Sequence, residues 1–321
     1  MSIVKEKRGY QFVGKRRINW GYAAAIAISP YLLIKIAWTF GFFMPTDHMG
    51  DPSWRTANAV TLVLALVGIL LSLAFSMKWG EKLPAWLVAL PIWVGTGLLV
   101  PMVLLAPVLG PAAMIRDQQL GSADIWILEQ VLVMISLVGV GICLPFAVAG
   151  YVRKRWPESI IGPLHMESLP HNSQKLQVSI ARLVATGCVL LGVIKLYWSF
   201  GGTIGMNHSL LESRDLWWHL LSLSTGVWAL AGAWGVLVLT TGRGSRSFYP
   251  PMIAAWVSSG MLFSFNLFNR LSSTRPDAQP VLEAPIAHVI STELGSVLGV
   301  LMGSVILMVL HDRRRALSRE K

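Results

Sequence analysis

The sequence predicts an all-α integral membrane protein: eight transmembrane helices forming two parallel four-helix repeats, a 4+4 arrangement about a pseudo-twofold axis along the membrane normal. Three observations carry that reading. Hydrophobic residues make up 54% of the chain and charged residues only 13%, about half the charge of a soluble domain. Apolar runs of about 20 residues, the length a helix needs to cross the hydrocarbon core, recur from end to end. Finally, Leu33-Ile-Lys-Ile-Ala-Trp-Thr-Phe-Gly41 returns as Val193-Ile-Lys-Leu-Tyr-Trp-Ser-Phe-Gly201, and the same 160-residue offset carries Asp47-His48 onto Asn207-His208.

Taken in order, residues 1–19 form a basic N-terminus holding Lys5, Lys7, Arg8, Lys15, Arg16 and Arg17. The apolar run behind it is too long for a signal-peptide core and lacks a small-x-small cleavage site, so it is expected to stay as the first span. The spans are read at 20–43, 57–77, 84–106 and 124–150 in a first repeat (20–150). A polar linker over 151–180, with Pro157, Pro163 and Pro170, precedes spans at 181–202, 216–240, 250–268 and 285–310 in a second repeat (181–310). Residues 311–321 are a basic tail.

Orientation follows from the basic residues. With the N-terminus inside, the cytoplasmic segments hold 20 of the 27 Lys and Arg, the outer loops hold five, and Lys35 and Lys195 lie in the membrane. The positive-inside rule then places both termini in the cytoplasm. This distribution explains the net charge of +11 as topology and excludes a nucleic-acid partner. His311-Asp-Arg-Arg-Arg315 reads as a contact for anionic lipid head groups.

The repeat continues beyond its first helix. Trp93-Val-Gly-Thr-Gly97 answers Trp256-Val-Ser-Ser-Gly260, and Glu129 answers Glu293. An even number of spans per half gives both halves one orientation, hence parallel repeats. At 1.5 Å per residue, Lys35 lies roughly 22 Å and Lys195 about 21 Å from the inner ends of their spans, with Glu129 about 7 Å and Glu293 about 12 Å from the outer ends. All four fall in one layer of the outer half, which suggests Lys–Glu pairs, within or between repeats. Such a layer either fixes helix register or lines a cavity that binds a cation, a proton or a polar ligand. Trp38 and Trp198, one turn outward, are either cation–π partners of the lysines or members of the interfacial aromatic belt.

A second set of residues gathers toward the outer face: Asp47, His48, Asp51, His208, Asp215, His219 and His288. His48, His208, His219 and His288 are the only candidates for a metal or haem site, but no pair has a ligand-motif spacing, and solvated loop residues are the simpler reading. No metal or other cofactor is expected. Eight of the 16 acidic residues fall on this face, which would make its vestibule attractive to cations. Pro84, Pro91, Pro101, Pro107 and Pro111, in or beside span three, free backbone carbonyls that a neighbouring helix or a cavity must satisfy. Gly139, Gly141, Gly295, Gly299 and Gly303 favour close helix approach. Cys143 and Cys188 read as small core hydrophobes rather than a redox pair. No phosphate-binding loop, Gly-x-Ser-x-Gly, His-Glu-x-x-His or dinucleotide fingerprint occurs, so nothing in the sequence points to an enzyme.

Three stretches carry a resemblance: Lys195-Leu-Tyr-Trp-Ser-Phe-Gly-Gly202, Trp79-Gly-Glu-Lys-Leu-Pro-Ala-Trp86 and Pro91-Ile-Trp-Val-Gly-Thr-Gly-Leu-Leu-Val-Pro101. They resemble polytopic membrane proteins of actinobacteria and bacilli to which no activity is assigned. The Tyr-Trp-x-x-Gly-Gly signature is similar to that of small four-span membrane proteins. The resemblance covers about a third of the chain and implies a bacterial inner-membrane location. The first repeat departs from the signature, with Ala37 in place of Tyr197 and Phe42 in place of Gly202.

Three functions fit these features. A small secondary transporter or permease accounts for the duplication, the polar layer (Lys35, Trp38, Glu129, Lys195, Trp198, Glu293) and a kinked span three. A non-catalytic immunity, assembly or sensing factor with a protein partner makes every buried charge structural. A membrane haem or redox protein accounts for the outer histidines and the 14 tryptophans.

Overall fold

The computed structural model describes residues 2–42, 52–119, 124–156, 164, 171–212, 214–245, 247–273 and 286–319. Among them the elements are helical and no strand occurs. In chain order they are α1 (Ser2–Thr39), α2 (Pro52–Ser76), a 3-10 turn (Lys78–Lys82), α3 (Ala85–Gln119), α4 (Asp124–Arg155), α5 (His171–Ser199), the one-turn α6 (His208–Glu212), α7 (Leu216–Thr241), α8 (Tyr249–Ser273) and α9 (Ile286–Arg319). All except the 3-10 turn and α6 contain a stretch long and apolar enough to cross a membrane, eight in total among the described residues. The chain thus has the make-up of a multi-pass membrane protein.

The helices overrun the expected spans, mostly at the ends rich in basic residues. α1 begins at Ser2 rather than near Trp20, α9 runs to Arg319, and the expected linker is helical up to Arg155 and again from His171. Basic residues favour the C-terminal turn of a helix, where the macrodipole is negative, and Arg153, Lys154 and Arg155 end α4 in this way. α3 passes through Pro91, Pro101, Pro107 and Pro111 as one helix.

The chain divides into two units: residues 1–91 with 102–155, and residues 92–101 with 156–321. The middle of α3 therefore belongs with the second unit. In the first unit α1 packs on α2 and α4, and α2 also meets α4. Small residues allow this: a side chain at Gly21 would run into Ser72 and Ser76 of α2, and one at Gly139 into Ala27. The 3-10 turn is clamped by the end of α4. Tyr151 Oη donates to Gly80 O (2.8 Å), Arg155 reaches Leu83 O, and Lys154 pairs with Glu81 at 2.6 Å.

In the second unit α5 packs on α7, α7 on α8, α8 on α9, and α9 back on α5, which closes a ring of four. A buried apolar cluster fills it, including Val184, Cys188, Leu191, Ala233, Leu262, Leu298, Met302 and Ile306. Cys188 is thus a core residue and Cys143 is half-buried; both are free thiols. The residue 92–101 segment docks on α8 through the repeated motif. Trp93 Nε1 donates to Ser259 Oγ (2.8 Å), its ring stacks on Phe263 at 4.9 Å, and a Cβ built on Gly97 would lie 2.0 Å from Gly260 O. The two copies of the Trp-Val-x-x-Gly motif lie against each other.

Candidate functional site

The duplicated stretch ends its helix identically in both halves. Phe42 N–H donates to Ala37 O and Gly41 N–H to Trp38 O; Gly202 N–H donates to Tyr197 O and Gly201 N–H to Trp198 O. This is the Schellman cap, in which one left-handed residue lets two amides satisfy the last free carbonyls. Gly41 (φ 85°) and Gly201 (φ 93°) supply that residue. The repeated Phe-Gly is therefore a helix stop. It fixes Lys35 and Lys195 one turn before their helix ends, Thr39 and Ser199.

Both tryptophans lie under the lysines and are themselves buried. Lys35 Nζ is 4.8 Å from the Trp38 ring centroid and Lys195 Nζ 5.1 Å from that of Trp198. They are cation–π partners rather than belt residues, with 1% and 2% of their surface exposed. In the first half Tyr31 adds a second ring 5.3 Å from Lys35 Nζ, and Trp54 packs against Trp38 at 4.9 Å.

Beyond the indole the halves part. Lys35 Nζ donates to Glu129 Oε1 (2.7 Å) and Asn58 Oδ1 (2.9 Å). Asn58 is held in turn by donating to Trp54 O at 2.9 Å. The Lys–Glu pair expected for the first half thus forms within it, with only 9% and 16% of the two side chains exposed. The matching pair does not form. Glu293 instead binds Arg270, a bridge with 62% and 48% of its side chains exposed. Arg270 is the physical reason, because the corresponding stretch of the first half holds Ala106 and Pro107 and offers Glu129 no competing cation. Lys195 is left buried, 8% exposed, and among the described residues it makes no hydrogen bond or ion pair.

Magnitudes separate the two lysines. Burying an ammonium costs several kcal/mol even after relaxation. One indole face returns about 0.5–2 kcal/mol. Lys35 makes up the remainder with a carboxylate and an amide oxygen, and Lys195 has no such acceptor among the described residues.

The loop after α5 closes over this region of the second half. Trp198 Nε1 donates to Ile204 O (3.0 Å), Tyr197 Oη accepts from the amides of Thr203 and Ile204 (3.2 and 3.3 Å), and Arg214 donates to Gly202 O (2.8 Å). A Cβ on Gly202 would lie 2.3 Å from the Tyr197 ring, so the tyrosine requires the glycine. The departure of the first half, Ala37 with Phe42, is the compensated version: the small residue at 37 leaves room for the large one at 42. Asp215 caps α7 by accepting from Trp218 N–H at 2.8 Å.

Among the described residues the histidines do not assemble. His48, with Asp47 and Asp51, lies outside the described residues. His208 pairs with Glu212 on the exposed one-turn helix (3.3 Å), and His219 Nδ1 lies 3.0 Å from Ser199 O. A carbonyl only accepts, so that nitrogen of His219 carries the proton. His288 lies beside Trp198 at 6.3 Å between rings, its Nδ1 buried with no partner. Among the described residues no three His, Cys, Asp or Glu side chains come together as metal ligands.

Asn58 and Arg270 were not singled out from sequence. A signal for Asn58 existed: Asp51-x-x-Trp54-x-x-x-Asn58 matches Asp215-x-x-Trp218-x-x-x-Ser222 at the 164-residue offset that also relates Glu129 to Glu293. No family model matches the chain, and no curated protein or solved structure matches it either.

Proposed function

We propose that this protein is a small secondary transporter or permease of the bacterial plasma (inner) membrane, with both termini cytoplasmic and its repeats parallel. Its polar layer, Lys35, Glu129, Lys195 and Glu293, lies in the outer half of the bilayer in this reading. The duplication supports the parallel repeats: both halves share a Schellman cap, a lysine one turn before it and an indole under that lysine. One observation carries the transport reading. Lys195 is a buried ammonium without an acceptor among the described residues, at a position whose counterpart is closed by two. An intramembrane charge left open is where a solute binds.

The test is reconstitution into proteoliposomes and recording of solute-evoked currents with sodium chloride, sodium acetate, sodium glutamate, glycine and choline chloride. At least one solute is expected to evoke a saturable current that Lys195→Met abolishes and that Lys154→Ala, which breaks only the exposed bridge to Glu81, retains. Silence towards the whole panel, or an unchanged current in Lys195→Met, would count against transport.

The closed Lys35–Asn58–Glu129 triad favours a second reading, a non-catalytic membrane factor whose buried charges only fix register. Reproducible co-purification of one partner protein, together with a silent flux assay, would establish it.

A further inference from the structure

We propose that Lys195 and His288 form a binding site for a small monovalent anion, a carboxylate or a halide, beneath the loop at residues 201–207. This deepens the transport reading and rests on it. The two groups lie near the same indole: Lys195 Nζ is 5.1 Å from the Trp198 ring centroid, and the His288 ring is 6.3 Å away. Both lack what a polar group needs inside a protein. Lys195 is 8% exposed and has no acceptor among the described residues, and His288 Nδ1 is buried and unpartnered. An ammonium can only donate, and the Nδ1–H tautomer of His288 donates as well, so an acceptor carrying negative charge would satisfy both groups at once. One anion positioned between them supplies both needs.

The surroundings favour an anion over a cation. Glu293, the carboxylate at the position equivalent to Glu129, is held by Arg270. At the 164-residue offset the buried Ser222 is the sequence counterpart of Asn58, so the second half has no amide oxygen at that position. A further cation, Arg214, is fixed to the covering loop through Gly202 O at 2.8 Å. The loop is itself anchored to Trp198 and Tyr197, and Gly205 fits closely against Ala287, the residue before His288. A monoanion suits the site, since a single ammonium balances a single charge.

The experiment measures thermal unfolding of the purified full-length protein in nanodiscs at low ionic strength, titrated with sodium acetate or sodium chloride. For the wild type, the transition temperature should rise saturably with at least one of the two. The apparent affinity should fall about tenfold or more in Lys195→Met, the loss expected for one charge-assisted hydrogen bond, and less in His288→Gln. A response to acetate alone identifies a carboxylate site, and a response to chloride alone a halide site. Asp277 and Glu283 lie outside the described residues. If either neutralises Lys195, the wild type will not respond and the proposal fails. An equal response in wild type and Lys195→Met, which would be a general salt effect, also overturns it. Saturable anion binding without any solute current would leave this site standing and remove the transport reading. A Lys195-dependent current evoked only by glycine or choline, without anion binding, would do the reverse.

Discussion

In the first half, Lys35 finds an indole, an amide and a carboxylate; in the second, the lysine at the equivalent position finds the indole and no acceptor among the described residues. The two helices end in the same cap at the same distance from the lysine. The divergence therefore arises not in the copied stretch but in what surrounds it: Ser222 for Asn58, and an arginine at 270 that draws Glu293 away. The two stretches share the helix stop and the burial of the lysine. The residues around the second lysine leave it without an acceptor among the described residues.

The largest test of this comparison sets Glu129→Gln against Lys195→Met. Removing the carboxylate strands a buried cation and should destabilise the protein by about 3–5 kcal/mol. Lys195→Met removes a buried cation with no acceptor and should be neutral or stabilising by the same reasoning. Opposite signs in thermal unfolding would confirm the asymmetry, and equal losses would mean that Lys195 has a partner as strong as Glu129. Lys35→Met combined with Glu129→Leu should recover most of the stability lost by the single change, because no charge remains uncompensated.

A subtler test concerns the caps. Gly201→Ala meets no neighbouring atom, so its cost is the left-handed backbone alone, about 1–2 kcal/mol; Gly41→Ala should match it. A markedly smaller effect at either site would mean that the caps are not equivalent. Next, Gly202→Phe should lower the unfolding temperature through its collision with Tyr197, and Tyr197→Ala should restore it by recreating the Ala37–Phe42 pairing of the first half. Additive losses in the double variant would break the compensation argument. The smallest effect belongs to Arg270→Ala, at most about 1 kcal/mol for an exposed bridge. Its more informative outcome is indirect: freeing Glu293 should weaken acetate or chloride binding, if the released carboxylate turns toward Lys195.

How far the site could be read from sequence depends on which neighbours are local. The lysines, their tryptophans and the matched glutamates were legible, since buried charges stand out in apolar runs and the repeat pairs them. The Phe-Gly that follows was visible as a pattern but not as a Schellman cap, because the left-handed conformation leaves no mark beyond the glycine. Arg270 is one of the five basic residues expected in the outer loops, with nothing in the sequence to single it out. Its reach to Glu293 depends on the packing of α8 on α9, and no spacing rule links residues 23 apart across two helices.

The sequence alone determined the helical membrane class, the rough positions of the eight apolar spans and the recurrence of the Lys-x-x-Trp-x-Phe-Gly stretch. These depend on composition, on the apolar length a bilayer requires, and on repetition, all of which are written along one dimension. Only the tertiary structure decided which charges meet. A buried lysine is neutralised by whatever acceptor the neighbouring helices bring within 3 Å of it, and that proximity is a property of packing in three dimensions.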